Sequence, residues 1–237
     1  EEKVKFITIA TDYEPCPFMN EGKPDMLVIP RDLEDKFIKK GNSKEAINPI
    51  GIPVSSRFVK TAKDIRKELN LRGDDKIVLI MLGSMGFGNI LDLLNKLENE
   101  DYKIITICGT NTKLLEEIKE KNFKNVIPLG FTKNINDFIY TADVVVSKPG
   151  GLSSTEIAAI RKPLIHMFAI PGIETYNMNY FKEHNMSINC SNINDVKDAI
   201  NKLLNDVELQ KELVQNQIKY INNESAKDLV NIIKDKF

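Results

Sequence analysis

Short apolar runs alternate with helix-patterned stretches along almost the whole chain, and this alternation constrains the fold more than any single motif. The runs predict strands at Lys5–Ala10, Met26–Ile29, Asn48–Gly51, Lys76–Leu82, Lys103–Cys108, Val126–Leu129, Asp143–Ser147, Leu164–Met167 and Ser187–Asn189. Between them the spacing predicts helices at Asp32–Lys40, Thr61–Leu69, Gly88–Asn99, Thr112–Lys121, Ile135–Thr141, Ser153–Ile160, Glu174–His184 and Ile193–Leu204. A polar helical tail follows from Val207. Strand and helix in turn mean βαβ units, a parallel sheet and right-handed crossovers. IVLIML (77–82) and DVVVS (143–147) are continuously apolar or nearly so, as strands covered on both faces are. The expected class is α/β: a Rossmann-like parallel sheet with helices on both faces, plus a truncated remnant of a second such domain.

The boundary falls at Gly51-Ile52-Pro53-Val54-Ser55-Ser56-Arg57-Phe58, an extended, proline-containing stretch. Residues 1–57 are expected to be the end of one domain, 58–206 a ligand-binding domain, and 207–237 a helical tail crossing back to the first. The chain opens without Met or a signal-peptide pattern, on a strand-like VKFITIA (4–10), and is expected to begin inside a domain.

A net charge of −1 over 237 residues gives no global basic field for nucleic acid or an anionic membrane. No apolar run reaches the roughly 18 residues that span a bilayer. Cys16, Cys108 and Cys190 are widely spaced and odd in number, which argues against a disulfide framework or a Cys-x-x-Cys metal site. They read as reduced thiols of a cytoplasmic chain. With only His166 and His184 besides, no metal is expected.

In open parallel sheets ligands bind beyond the carboxyl ends of the strands. Those ends are rich in glycine and hydroxyl groups here. Gly83-Ser84-Met85-Gly86 is either a tight βα turn or an anion cradle; it matches neither Gly-x-Gly-x-x-Gly nor a P-loop. At Gly109-Thr110-Asn111, Thr110 or Asn111 can simply cap the next helix. Gly130-Phe131-Thr132 suits a base edge against backbone, or places a core phenylalanine. In Lys148-Pro149-Gly150-Gly151-Leu152-Ser153-Ser154-Thr155-Glu156 the glycines clear space, Ser153 and Ser154 supply hydroxyls, and the helix start presents N–H groups to a phosphate. Glu156 then either complements the helix dipole or accepts ribose hydroxyls, and Lys148 is a phosphate charge or a solvated loop lysine. Glu174 and Asn177, three apart, can grip sugar hydroxyls or belong to an ordinary helix start. Together these turns describe a nucleoside diphosphate carrying a polyhydroxylated group.

The combination of Thr11-Asp12-Tyr13, Gly51-Ile52-Pro53-Val54, IVLIMLGSMGFGNI (77–90), CGTN (108–111), LGFTKNINDF (129–138), ADVVVSKPGGLSSTE (142–156) and PGIETYN (171–177) resembles GT-B glycosyltransferases of the monogalactosyldiacylglycerol synthase and processive diacylglycerol glucosyltransferase family. The resemblance covers essentially the whole chain. It implies a transferase moving a hexose from a UDP-sugar to a membrane lipid such as diacylglycerol. The diphosphate would lie on Gly83–Gly86 and Gly150–Ser154, with Leu152 inside that turn. Uracil would lie at Phe131 and Thr132, ribose on Glu156, and the donor sugar on Glu174 and Asn177. Gly109, Asn111 and Lys148 complete the expected nucleotide-sugar site. No metal or other cofactor is implied, the UDP-sugar being a substrate, and the sequence contains no Asp-x-Asp motif. The parent enzyme would be cytoplasmic and peripheral on the inner face of the cell membrane, with the lipid-facing surface and catalytic base upstream of residue 1. No catalytic residue is therefore named, and the chain by itself is expected to be inactive. A homo-oligomer is a further expectation; a nucleic-acid partner is not.

Two positions depart from the family pattern. Ile173 stands where a Gln usually precedes the glutamate, and Glu14-Pro15-Cys16-Pro17-Phe18-Met19 replaces a region that often carries His and Trp. The sugar and acceptor stay open. Sugar transfer to a lipid-linked cell-wall precursor, sugar-nucleotide epimerisation, and nucleotide binding without transfer are the alternatives.

Overall fold

Ile77 to Met81 alternates its side chains between two apolar layers, and that strand organises the molecule. The computed structural model describes residues 4–82 and 90–236. Among the described residues nine strands form two wholly parallel sheets. The smaller holds β1 (Ile7–Ile9), β2 (Met26–Val28) and β3 (Ile47–Asn48) in that order, with α1 (Glu34–Lys39) between the last two. The larger contains β4 (Ile77–Met81), β5 (Lys103–Ile107), β6 (Val126–Leu129), β7 (Val144–Ser147), β8 (Leu164–His166) and β9 (Ile188–Asn189), in the order β6-β5-β4-β7-β8-β9. Its crossovers are α2 (Ile90–Leu97), α3 (Thr112–Lys121), α4 (Ile135–Thr141), α5 (Gly151–Ala159) and α6 (Ile173–Glu183). The chain ends in α7 (Ile193–Asn205), α8 (Val207–Tyr220) and α9 (Ser225–Lys236).

Val78, Ile80, Ile104, Val144 and Val146 face one layer, with Leu93, Leu97, Val196, Ile200 and Leu203 from α2 and α7. Ile77, Leu79, Ile105 and Val145 face the other, with Ile139, Ile157 and Phe181 from α4, α5 and α6. The strict alternation is the period of two of a strand covered on both sides. Tyr13, Ile52 and Val54 join this second layer, so the segments beside the small sheet share a core with the large one. The tail returns the same way. Asn222 Nδ2 donates to Ile50 O at 2.8 Å and Ser225 Oγ to Ile52 O at 2.9 Å.

All nine expected strands have a counterpart, though the third is Ile47–Asn48 and shares only Asn48 with the expected Asn48–Gly51. The helix expected at 61–69 has none. Its N–H groups are taken by side chains of α4 before a helical ladder can form: Lys63 N donates to Asp137 Oδ1 at 3.1 Å and Ile65 N to Thr141 Oγ1 at 3.0 Å. Arg66 N goes to Asp64 Oδ1 in the same way. The expected helix over 88–99 is described only from Ile90.

His166 is wholly buried at the end of β8. Ser187 Oγ donates to Asn189 Oδ1, so it accepts from His166 Nδ1 at 3.1 Å, which leaves Nε2 to accept from Ser154 Oγ at 2.9 Å. Burial pushes the imidazole down to about 3 from an ordinary 6.5. Its unfolded form binds the extra proton between those values, so its contribution is complete above pH 6.5 and is lost as pH falls toward 3. Denaturant unfolding across that window should show the unaltered chain losing up to about 1.4 kcal/mol per pH unit relative to a His166→Asn variant. Equal pH slopes for the two proteins would contradict a neutral buried imidazole.

Candidate functional site

The strand order reverses direction between β4 and β7, and the carboxyl ends of these two strands open the crevice where α/β sheets bind ligands. The turn after β4, with Gly83, Ser84, Met85 and Gly86, lies outside the described residues. The turn after β7 is described in full. Pro149 and an extended Gly150 (φ −71°, ψ 137°) start α5 at Gly151, two residues earlier than the sequence suggested. Ser154 N already bonds Gly150 O, so the N–H groups of Gly151, Leu152 and Ser153 are the helix's open donors. Leu152 is exposed and Ser153 half-buried. Ser154 is not part of this mouth, because its hydroxyl is buried against His166.

The earlier helix start moves Glu156 into the second turn, beyond the reach of the helix-end dipole. The carboxylate has another environment. Burial pushes its pKa up to about 7, against a smaller opposite pull from the nearby Arg57 guanidinium. Among the described residues it accepts no hydrogen bond. A half-buried carboxylate left without donors does not serve as a structural brace. Arg57 was not among the sequence candidates. It lies over the Phe58 ring at 5.0 Å and donates to Lys133 O at 3.4 Å, linking the surroundings of Glu156 to the turn after β6.

On that turn Phe131 is 70% exposed, which excludes the core role. Thr132 Oγ1 accepts from Asn134 N at 3.2 Å. The neighbouring turn after β5 has Gly109 at φ +58°, where a side chain would be strained, and Asn111 caps α3 by accepting from Leu114 N at 3.0 Å. Asn111 is thus occupied by the helix it starts.

Glu174 and Asn177 do share one face of α6, but that face grips the protein. Lys148 Nζ lies 2.8 Å from Glu174 Oε1, and Ile170 N donates to Glu174 Oε2 at 2.8 Å. Asn177 is wholly buried. Its Nδ2 donates to Asp12 Oδ1 at 2.8 Å and Pro149 O at 3.0 Å, and its Oδ1 accepts from Tyr13 N at 2.8 Å. Tyr13 stacks on Tyr180 at 4.3 Å and shares a 2.7 Å hydrogen bond with Thr155. The Thr11-Asp12-Tyr13 turn beyond β1 is therefore seated on the Gly150–Gly151 turn. Only the glycine hydrogen at 151 permits it: a Cβ there would lie 2.0 Å from Thr11 O. Sequence reasoning could not place this contact, which joins residues far apart in the chain, although the Thr-Asp-Tyr motif was its signal.

Beside that turn lies a cavity of about 460 Å³ walled by Asp12, Cys16, Met19, Gly172, Ile173 and Tyr176 among others. No cluster of His, Cys, Asp or Glu suited to a metal ion occurs among the described residues. No helix among them is long and apolar enough to cross a membrane.

Known proteins resemble this chain in sequence and in fold. Residues 77–233 match the Glycosyltransferase family 28 C-terminal domain. The processive diacylglycerol beta-glucosyltransferase of Bacillus licheniformis is 30% identical over 210 residues, covering 85% of this chain and 55% of that protein. The chain thus spans about half the length of such relatives. MurG of Acinetobacter baumannii superposes with a TM-score of 0.67 at 14% identity, over 98% of this chain and 67% of that one. HepE of Anabaena, solved in complex with UDP and glucose, gives 0.62 at 14% identity over 98% and 72%. These structures share the fold expected from the sequence, parallel-sheet α/β units of GT-B type. By the match over most of its length, the chain belongs to the glycosyltransferase family 28 C-terminal domain family.

Proposed function

We propose that the chain binds a UDP-sugar and serves a glycosyltransferase that moves a hexose to a membrane lipid acceptor such as diacylglycerol. The observation that carries the binding is Glu156: a desolvated carboxylate without donors, beside the open N–H groups of α5 at the sheet's switch point. In this reading Gly83–Gly86 and Gly150–Ser153 hold the diphosphate, Lys148 adds charge, and Phe131 and Thr132 face the uracil. Glu156 accepts the ribose hydroxyls. The lipid acceptor is supported by the relatives' names, and the uridine nucleotide by the complex of the HepE match. Residues 58–206 form the donor domain, 1–57 belong to an acceptor domain, and 207–237 tie the two. The enzyme works without a metal cofactor, on the inner surface of the cell membrane.

Calorimetric titration in the presence of a chelator tests the donor half. UDP should bind, and one of UDP-glucose, UDP-galactose or UDP-N-acetylglucosamine should bind better than UDP. A folded chain that takes up none of them overturns the reading. Supplying the best donor and diacylglycerol to the longer protein tests the acceptor half, with glycolipid as the expected product and an unchanged donor as the contrary result.

A further inference from the structure

Glu174 and Asn177 hold two consecutive residues, Glu174 pairing with the Lys148 charge and Asn177 donating to the Pro149 carbonyl. The Lys148–Glu174 pair keeps only 14% and 17% of its side-chain exposure. It is screened less than a surface pair and is held more firmly. Glu174 also fastens the connection after β8 through Ile170 N. That connection carries two left-handed residues, Phe168 at φ +54° and Gly172 at φ +113°. The cation at the foot of the anion-binding turn is therefore matched by a protein carboxylate before any ligand arrives.

A diphosphate on residues 148–153 brings a second anion to the same ammonium. Carboxylate and phosphate crowded around one Nζ repel each other, and the repulsion grows where water is scarce. The carboxylate is relieved if hydroxyl donors replace the lysine as its partners. A sugar attached to the diphosphate supplies such donors, and bare diphosphate does not.

We propose that the Lys148–Glu174 pair is a latch released by the ligand: the diphosphate draws Lys148 away, and the freed Glu174 carboxylate takes hydrogen bonds from the attached sugar. This rests on the nucleotide-sugar reading above. Glu174 is then a specificity-determining residue that works through two partners in turn. It opposes the nucleotide alone and favours the nucleotide bearing a sugar. After the sugar has left, the same carboxylate helps to expel the remaining nucleoside diphosphate.

UDP and the best-binding UDP-hexose, titrated into the unaltered chain and into Glu174→Gln, give the test. The variant should bind UDP about fivefold tighter, at the lower end of couplings between sites. Its preference for UDP-hexose over UDP should fall by about tenfold, as a lost charged hydrogen bond predicts. Structural damage cannot produce this, since it weakens both ligands together. A parallel loss of both affinities, or unchanged UDP binding, overturns the latch. Lys148→Gln provides an independent arm. It should weaken UDP about tenfold and keep the sugar preference, because Glu174 is already free; loss of that preference also overturns the latch. If the unaltered chain binds no UDP, the nucleotide reading falls and the latch with it, an outcome distinct from the others.

Discussion

Gly151→Ala is expected to destabilise the chain by about 3 kcal/mol and to lower its melting temperature by about 6–12 °C, from overpacking costs and the scaling for a chain of this size. The added methyl would sit 2.0 Å from Thr11 O and 2.9 Å from Asp12 Cα, both backbone atoms, and 2.7 Å from Asp12 Oδ1. Backbone cannot yield as a side-chain tip can, so the 11–13 turn must lift from α5. Lifting it breaks the bonds from Asn177 to Tyr13 N and Asp12 and separates Tyr13 from Tyr180 and Thr155. Alanine's better helix propensity, at most about 1 kcal/mol, does not offset this. Gly150→Ala is the control. Its methyl meets nothing closer than Ser153 Oγ at 3.9 Å, and its φ of −71° suits any residue, so thermal unfolding should move little. Similar melting temperatures for the two variants would contradict the seating of the turn on Gly151.

Glu156→Gln should move stability and binding in opposite directions. Burial raises the folded pKa to about 7 from 4.5, so the folded chain binds the extra proton in that window. The stability this group contributes is complete below pH 4.5 and is lost as pH rises through 7. At pH 8 the carboxylate is a net cost, and the neutral amide should stabilise the chain by about 1–2 kcal/mol after allowing for its partial exposure. At pH 4.5 the two proteins should be nearly equal. The UDP affinity should meanwhile fall about a hundredfold or more, since two hydroxyls lose a charged acceptor. Denaturant melts at the two pH values, paired with titration, check both halves. A variant that is destabilised at pH 8, or that binds UDP as before, would contradict the role given to Glu156. A group that costs stability and supplies affinity is what a functional site leaves in a fold.

The sheets were legible because their signal is local. IVLIML and DVVVS announce covered strands by composition alone, and each pairs with its neighbour in the larger sheet. The stretch at 61–69 carries a helical pattern that loses to Asp137 and Thr141, residues more than seventy positions away in sequence. The start of α5 falls two residues earlier than the pattern suggests: glycine reads as turn, yet Gly151 is helical, and the contact that requires a glycine there comes from Thr11, far away in the chain. At the site, the residue types were legible and their partners were not. The spacing of Glu174 and Asn177 put them on one face, but only the fold shows that the face holds Lys148 and Pro149. Phe131 could be read as core or as surface until its exposure was known. Arg57 gave no signal, being an isolated cation in an extended linker until the turn after β6 and Glu156 come beside it.

A crystal structure of the chain grown with UDP and a chelator is the most direct test of the central claim. The account predicts the diphosphate against the N–H groups of Gly151, Leu152 and Ser153, and both ribose hydroxyls on the Glu156 carboxylate. UDP bound elsewhere, or a ribose turned away from Glu156, would contradict it.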